Sequence, residues 1–148
     1  MNIYISGISG TGMGPLALMA KNTGYQVFGS DRSRGAISHE LETAQIPFAV
    51  GVQDGRYLQQ IHEEYHLDWF VYTSALPEDH PELKLAKSLG LKISKRDELT
   101  AHLVNFLGLK MIAVAGTHGK TTTTGMLIWA TQKLQLPAAY IVGSTLSF

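Results

Sequence analysis

Apolar residues along this chain follow two alternating rhythms: short continuous runs, and segments in which they recur every three or four positions. Asn2-Ile3-Tyr4-Ile5-Ser6 reads as a first strand, and Leu16, Leu18, Met19 and Ala20 carry a helix that stops near Gly24. Tyr25 to Gly29 is a second strand ending in Ser30-Asp31. Ala36 to Ala44 predicts a helix, Pro47 to Val50 a short strand, and Gly51 to Gly55 a polar turn. Leu58, Ile61 and Tyr65 share one face of a helix over Tyr57 to His66, the spacing of an amphipathic helix. Asp68 to Thr73 is a buried strand, Pro81 to Leu89 a helix closed by Gly90, and Leu91 to Ser94 another short strand. Asp97 is expected to cap a helix running to Leu107. Beyond it, Met111 to Ala115 predicts a strand buried on both faces, then a helix from Lys120 to Leu134 and a strand over Ala139 to Val142. Strands alternating with helices define the α/β class with a parallel sheet.

Two glycine-rich stretches interrupt these elements where a strand gives way to a helix. The first is Gly7-Ile8-Ser9-Gly10-Thr11-Gly12-Met13-Gly14. Its glycines are spaced G-x-x-G-x-G-x-G, not the G-x-G-x-x-G of a dinucleotide fold. A diphosphate belongs at such a helix start, where glycines admit close approach. Pro15 is comfortable there because its missing N–H would be unpaired anyway. Asp31, after the second strand, is placed for a ribose or base. Ligands of open α/β sheets collect beyond the carboxyl ends of the strands. That rule gathers Gly7–Gly14, Asp31 and the Thr73-Ser74-Ala75 turn around one crevice.

The second stretch is Gly116-Thr117-His118-Gly119-Lys120-Thr121, followed by Thr122 to Thr124. It is shorter than the general phosphate loop G-x-x-x-x-G-K-[ST], whose first glycine falls at Val114. Lys120 is suited to reach β- and γ-phosphates and the Thr121 hydroxyl to ligate Mg²⁺.

Composition narrows the function classes. With 12 basic and 12 acidic residues in 148 the chain carries no net charge, which argues against non-specific nucleic-acid binding. Hydrophobic residues at 45% and charged ones at 16% describe a globular protein. The absence of cysteine excludes disulfides and thiolate chemistry and fits the cytoplasm, where we expect the protein. No apolar run approaches a membrane span. Glu78, Asp79 and Glu82 read as dipole-stabilising residues at a helix start. His39, His62, His66, His80 and His102 read as surface residues, and Trp69 and Trp129 as core.

Three segments resemble the Mur ligases, which add amino acids or peptides to UDP-N-acetylmuramic acid with ATP: AGTHGKTTTT, GISGTGMGPLALMAKNTGYQVFGSD and DWFVYTSALPEDHPELKLAKSLGLKISKRDEL. The resemblance implies a Rossmann-like N-terminal domain over residues 1–107, then a P-loop β-α-β over 108–148 that begins a central ATPase domain. It implies a UDP-sugar held by Gly7, Ser9, Gly10, Thr11, Gly12, Met13, Asp31, Ser74 and Ala75. ATP would be held by Gly116, Thr117, His118, Gly119, Lys120, Thr121 and Thr122, with Mg²⁺ on Thr121. His118 marks the match without revealing its own role. The implied reaction is acyl-phosphate formation followed by amide formation, in which Lys120 stabilises charge on the transferring phosphoryl group.

Within the family, the Ser74-Ala75 turn followed by proline and acidic residues favours the branch that adds L-alanine. The loop context with Trp129, and the ending AAYIVGSTLSF, lean toward the branch that attaches a murein peptide. The first branch is the reading adopted. The resemblance further implies that the family's C-terminal domain is lacking, so that this chain alone binds ligand without catalysing. Apolar strand edges in residues 108–148 then predict weak self-association. Two other readings remain: an NAD-binding regulatory module using Asp31, and a non-catalytic nucleotide switch.

Overall fold

The computed structural model describes residues 1–142; Gly143–Phe148, and with them half of the ending quoted above, lie outside the described residues. The chain divides into two compact units, Met1–Leu109 and a second beginning at Lys110.

The first unit alternates strands and helices: β1 (Asn2–Ser6), α1 (Gly14–Asn22), β2 (Gln26–Asp31), α2 (Ser38–Thr43), β3 (Phe48–Val50), α3 (Arg56–Tyr65), β4 (Trp69–Tyr72), α4 (Pro81–Ser88), β5 (Lys92–Lys95) and α5 (Arg96–Phe106). The strands form one sheet in the order β3-β2-β1-β4-β5, and every pairing is parallel. Its order reverses between β1 and β4, so the connections leaving those strands diverge and open a crevice at their carboxyl ends.

Successive side chains of a strand point to opposite faces, and the core obeys this. Ile3, Ile5, Val27, Trp69 and Val71 pack with Leu16, Ala17 and Ala20 of α1, Leu41 of α2, and Leu99 and Leu103 of α5. On the other face Tyr4, Phe28 and Phe70 meet Leu58 and Ile61 of α3 and Leu83 and Ala86 of α4. Gly29, in register with Ile5, has no room for a side chain: a Cβ there would strike the Ile5 carbonyl and lie 2.8 Å from Ile8 Cδ1.

Boundaries shift by a residue or two from those expected, and two shifts have physical content. β2 runs through Asp31, so that carboxylate leaves from the sheet itself. Lys95, with extended backbone, is the N-cap of α5, while Asp97 lies inside the first turn. Asp97 therefore complements the helix dipole instead of capping the helix.

The second unit contains α6 (Lys120–Lys133). Neither expected strand forms: Met111–Ala115 and Ala139–Val142 are irregular, with Met111 61% and Ile112 78% exposed. An apolar run is only half of a strand, since its N–H and C=O groups also need a hydrogen-bonded neighbour. Trp129, expected in the core, is 50% exposed, whereas Trp69 is fully buried.

Candidate functional site

Where β1 ends, Gly7 takes φ 79°, a conformation glycine adopts without strain. Its N–H and that of Ile8 donate to the Ser30 carbonyl at 2.8 and 3.1 Å. The Ser9 N–H donates to Asp31 Oδ2 at 2.8 Å, so Asp31 first ties the loop to the end of β2. The loop then closes on itself, with Gly10 N–H on Gly7 O at 3.1 Å, and Met13 and Gly14 N–H on Gly10 O at 3.1 and 2.9 Å. Among the described residues, the N–H groups of Thr11 and Gly12 are left without a protein acceptor.

Thr11 and Gly12 line a cavity of about 610 Å³, together with Gly7, Gly10, Met13, Asp31, Thr73, Ser74, Lys95, Arg96 and Asp97. Arg96 sits so close over Gly12 that a Cβ added there would collide with guanidinium Nη1. Backbone donors at a helix start, a guanidinium above them and a lysine alongside form an anion-binding arrangement.

Most of the crevice residues expected from sequence meet here. Ser9 and Ala75 are not on the cavity wall: Ser9 is buried behind the loop, and the exposed Ala75 donates its N–H to Thr73 Oγ1 at 3.3 Å. Lys95 and Arg96 were missed. Their signal was a basic pair at the carboxyl end of a strand, the same position that singled out the other loops.

Glu82, read as a dipole-stabilising residue, and His80, read as a surface residue, prove buried. Glu82, 1% exposed, accepts hydrogen bonds from Tyr4 Oη at 2.8 Å, Ser6 Oγ at 2.6 Å, Ser30 Oγ at 2.6 Å and Gln53 Nε2 at 3.3 Å. It lies in the first turn of α4, yet its carboxylate points into protein, so dipole stabilisation is not its main work. Burial and the adjacent carboxylate push the Tyr4 phenol far up, keeping it a donor. His80 is also buried, and among the described residues its Nδ1 has no partner. Burial pulls its pKa down, with Arg32 acting in the same direction and Glu82 and Asp79 opposing.

In the second unit, Gly119 takes φ 76° as the N-cap of α6. The Lys120 ammonium folds back onto the loop, donating to Gly116 O at 2.7 Å and Thr117 O at 3.2 Å. Gly116–Thr122 is exposed throughout, leaving N–H groups and the Thr121 hydroxyl open to a ligand. Among the described residues no three acidic, histidine or cysteine side chains converge on a metal position, and no helix is long and apolar enough to cross a membrane.

A doubly wound parallel sheet with a crevice at its switch point is the open α/β architecture, in which ligands collect at that place. Comparison with known proteins makes the assignment specific: residues 2–107 match the Mur ligase family, catalytic domain, and the chain belongs to that family. It is 36% identical over 144 residues to the UDP-N-acetylmuramate–L-alanine ligase of Symbiobacterium thermophilum, covering 97% of this chain and 28% of that protein. With the Streptomyces coelicolor ligase of the same name it shares 38% over 147 residues, covering 97% and 29%. Among solved structures, a murein peptide ligase from Psychrobacter arcticus superposes with TM-score 0.78 at 34% identity, covering 91% of this chain and 27% of that one. The UDP-N-acetylmuramate–alanine ligase of Thermotoga maritima gives 0.77 at 28%, covering 91% and 30%. The chain thus spans less than a third of the length of these relatives.

Proposed function

We propose that residues 1–107 are a UDP-sugar-binding domain whose crevice takes UDP-N-acetylmuramic acid. The observation that carries this is the pair of free N–H groups at Thr11 and Gly12 beneath the Arg96 guanidinium. Two backbone donors and a guanidinium match the oxygens of a diphosphate, and Lys95 adds charge. Gly7 and Gly10 admit the close approach, and Met13 closes the wall. Asp31 and Ser74, across the cavity, hold the ribose and base portion. Asp31 Oδ2 already accepts the Ser9 N–H, which leaves chiefly Oδ1 to meet a ribose hydroxyl. Ser9 and Ala75 serve this site through the backbone they shape.

Residues 108–148 begin an ATP-binding domain in this reading. The exposed loop fits a triphosphate: its N–H groups are open, and Lys120 has only loop carbonyls to leave. Thr121 fits Mg²⁺, which keeps waters and phosphate oxygens and asks few ligands of the protein. ATP supplies phosphoryl activation of a carboxylate, and Lys120 places positive charge where negative charge develops. In a Mur ligase carrying this segment, Lys120→Ala lowers kcat by about 10²–10³, the scale of losing one preorganised electrostatic donor. The amine is L-alanine, as the names of the curated relatives indicate. A murein peptide is the second reading, favoured by the likeness to the Psychrobacter enzyme.

Calorimetric titration with UDP-N-acetylmuramic acid, UDP-N-acetylglucosamine, NAD and ATP tests the first domain. UDP-sugars are expected to bind and NAD to fail. NAD binding without UDP-sugar binding contradicts the proposal.

A further inference from the structure

Glu82 is a buried carboxylate without a cation. The ion pairs among the described residues, Arg34–Glu42 and Arg56–Asp54, lie elsewhere. Neutral donors occupy it instead: Oε1 takes Tyr4 Oη and Ser30 Oγ, and Oε2 takes Ser6 Oγ and Gln53 Nε2. Gln53 Nε2 lies closer to Ser30 Oγ, at 2.8 Å, and to Ser6 Oγ, at 3.2 Å, than to the carboxylate, so its two hydrogens join both serines into one network. Burying a charge costs stability unless hydrogen-bond donors meet it, and three hydroxyls do so here.

What the network holds is more informative than how it is satisfied. Ser6 and Ser30 face each other in the β1–β2 register. Ser6 is the last residue before the glycine loop, and Ser30 the last before Asp31. The Ser30 carbonyl receives the N–H groups of Gly7 and Ile8, and Asp31 receives that of Ser9. A single carboxylate thereby clamps both strands where the chain leaves the sheet, behind the loop that presents the Thr11 and Gly12 donors. Charge-assisted hydrogen bonds are the stronger kind, and several on one rigid acceptor fix the strand ends that aim the loop.

We propose that Glu82 is a positioning residue of the crevice, setting the direction of the Thr11 and Gly12 N–H groups through Ser6 and Ser30 without touching ligand. The affinity part of this rests on the UDP-sugar reading above; the positioning part does not.

The test compares the whole 148-residue chain with its Glu82→Gln variant, by amide hydrogen exchange and by calorimetry with UDP-N-acetylmuramic acid. Should Glu82→Gln fail to fold, the Ser6→Ala/Ser30→Ala double variant, which leaves the carboxylate in place, takes its role. Exchange at Gly7, Ile8 and Ser9 is expected to rise at least tenfold more than at Leu99 and Leu103 of α5, with tenfold or greater loss of affinity. Acceleration at Gly7–Ser9 that only keeps step with α5 reports general destabilisation and overturns the proposal. So does equal or tighter binding by the variant: equal affinity would mean that the loop does not depend on Glu82, and tighter affinity that the charge merely repels the ligand. If the unaltered chain binds no UDP-sugar, the ligand reading fails, and the exchange pattern alone decides whether Glu82 positions the loop.

Discussion

Arg96 is the side chain that lies against Gly12 in the proposed site, and it was not legible in the sequence. Its place over Gly12 depends on β5 lying beside β4, a pairing that no local pattern announces. Arg96→Ala is expected to weaken UDP-sugar binding by roughly ten- to a hundredfold, the ~1.5–3 kcal/mol of a charged hydrogen bond, measured by calorimetry. Gly12→Asp sharpens the point. A carboxylate there meets Arg96 and faces the diphosphate, so binding should vanish while Gly12→Ala retains part of it. Similar affinities for the two variants would argue against an anion at that spot. Glycines and Asp31 were readable because their roles follow from chain position. The burial of Glu82 and His80 was not legible because it is decided by distant residues, β1 and β2 in the case of Glu82. For His80 the sign of the pH effect follows directly. Its folded pKa lies below the ordinary 6.5, so the unfolded chain binds the proton more readily. Stability falls as pH drops below about 6.5 and levels off once the folded pKa is passed. His80→Gln should flatten that part of the profile, so melting temperatures at pH 7.5 and 5.5 should differ less in the variant than in the parent.

At the scale of elements, pattern reading succeeded where strands have neighbours and failed where they have none. Tyr4 and Phe70 on one face, and Ile3, Ile5 and Val71 on the other, make β1 and β4 the continuous apolar runs expected of a sheet covered on both sides. Met111–Ala115 carries the same signature, yet it stays irregular and exposed for want of a ladder. The β1–β2 contact offers a direct check on the packing. Gly29→Ala brings a Cβ against the Ile5 carbonyl and Ile8, neither of which moves without shifting the core. Overpacking of this kind costs about 1–3 kcal/mol, which a urea midpoint should register as destabilisation with unchanged m-value. An unchanged midpoint would mean that the strands sit farther apart than described.

For the molecule as a whole, the two units have two different proposed ligands, and each exposes its own consequences. The second leaves Met111, Ile112, Met126, Trp129 and Leu134 in solvent. Concentration-dependent self-association through these side chains is therefore the expected behaviour, although the edge-strand pairing suggested by the sequence has no strands to use. Sedimentation of the chain beside residues 1–109 should show association only in the longer form. Monomers in both, across the same concentrations, would remove the expectation. The central claim is that a diphosphate lands on two particular amides, and it is best tested on ¹⁵N-labelled protein titrated with UDP-N-acetylmuramic acid. Thr11 and Gly12 amides and the Arg96 side-chain N–H should show the largest, saturating shifts, with NAD producing none of comparable size. Saturable binding that leaves Thr11 and Gly12 unmoved, or no binding at all, would contradict the account.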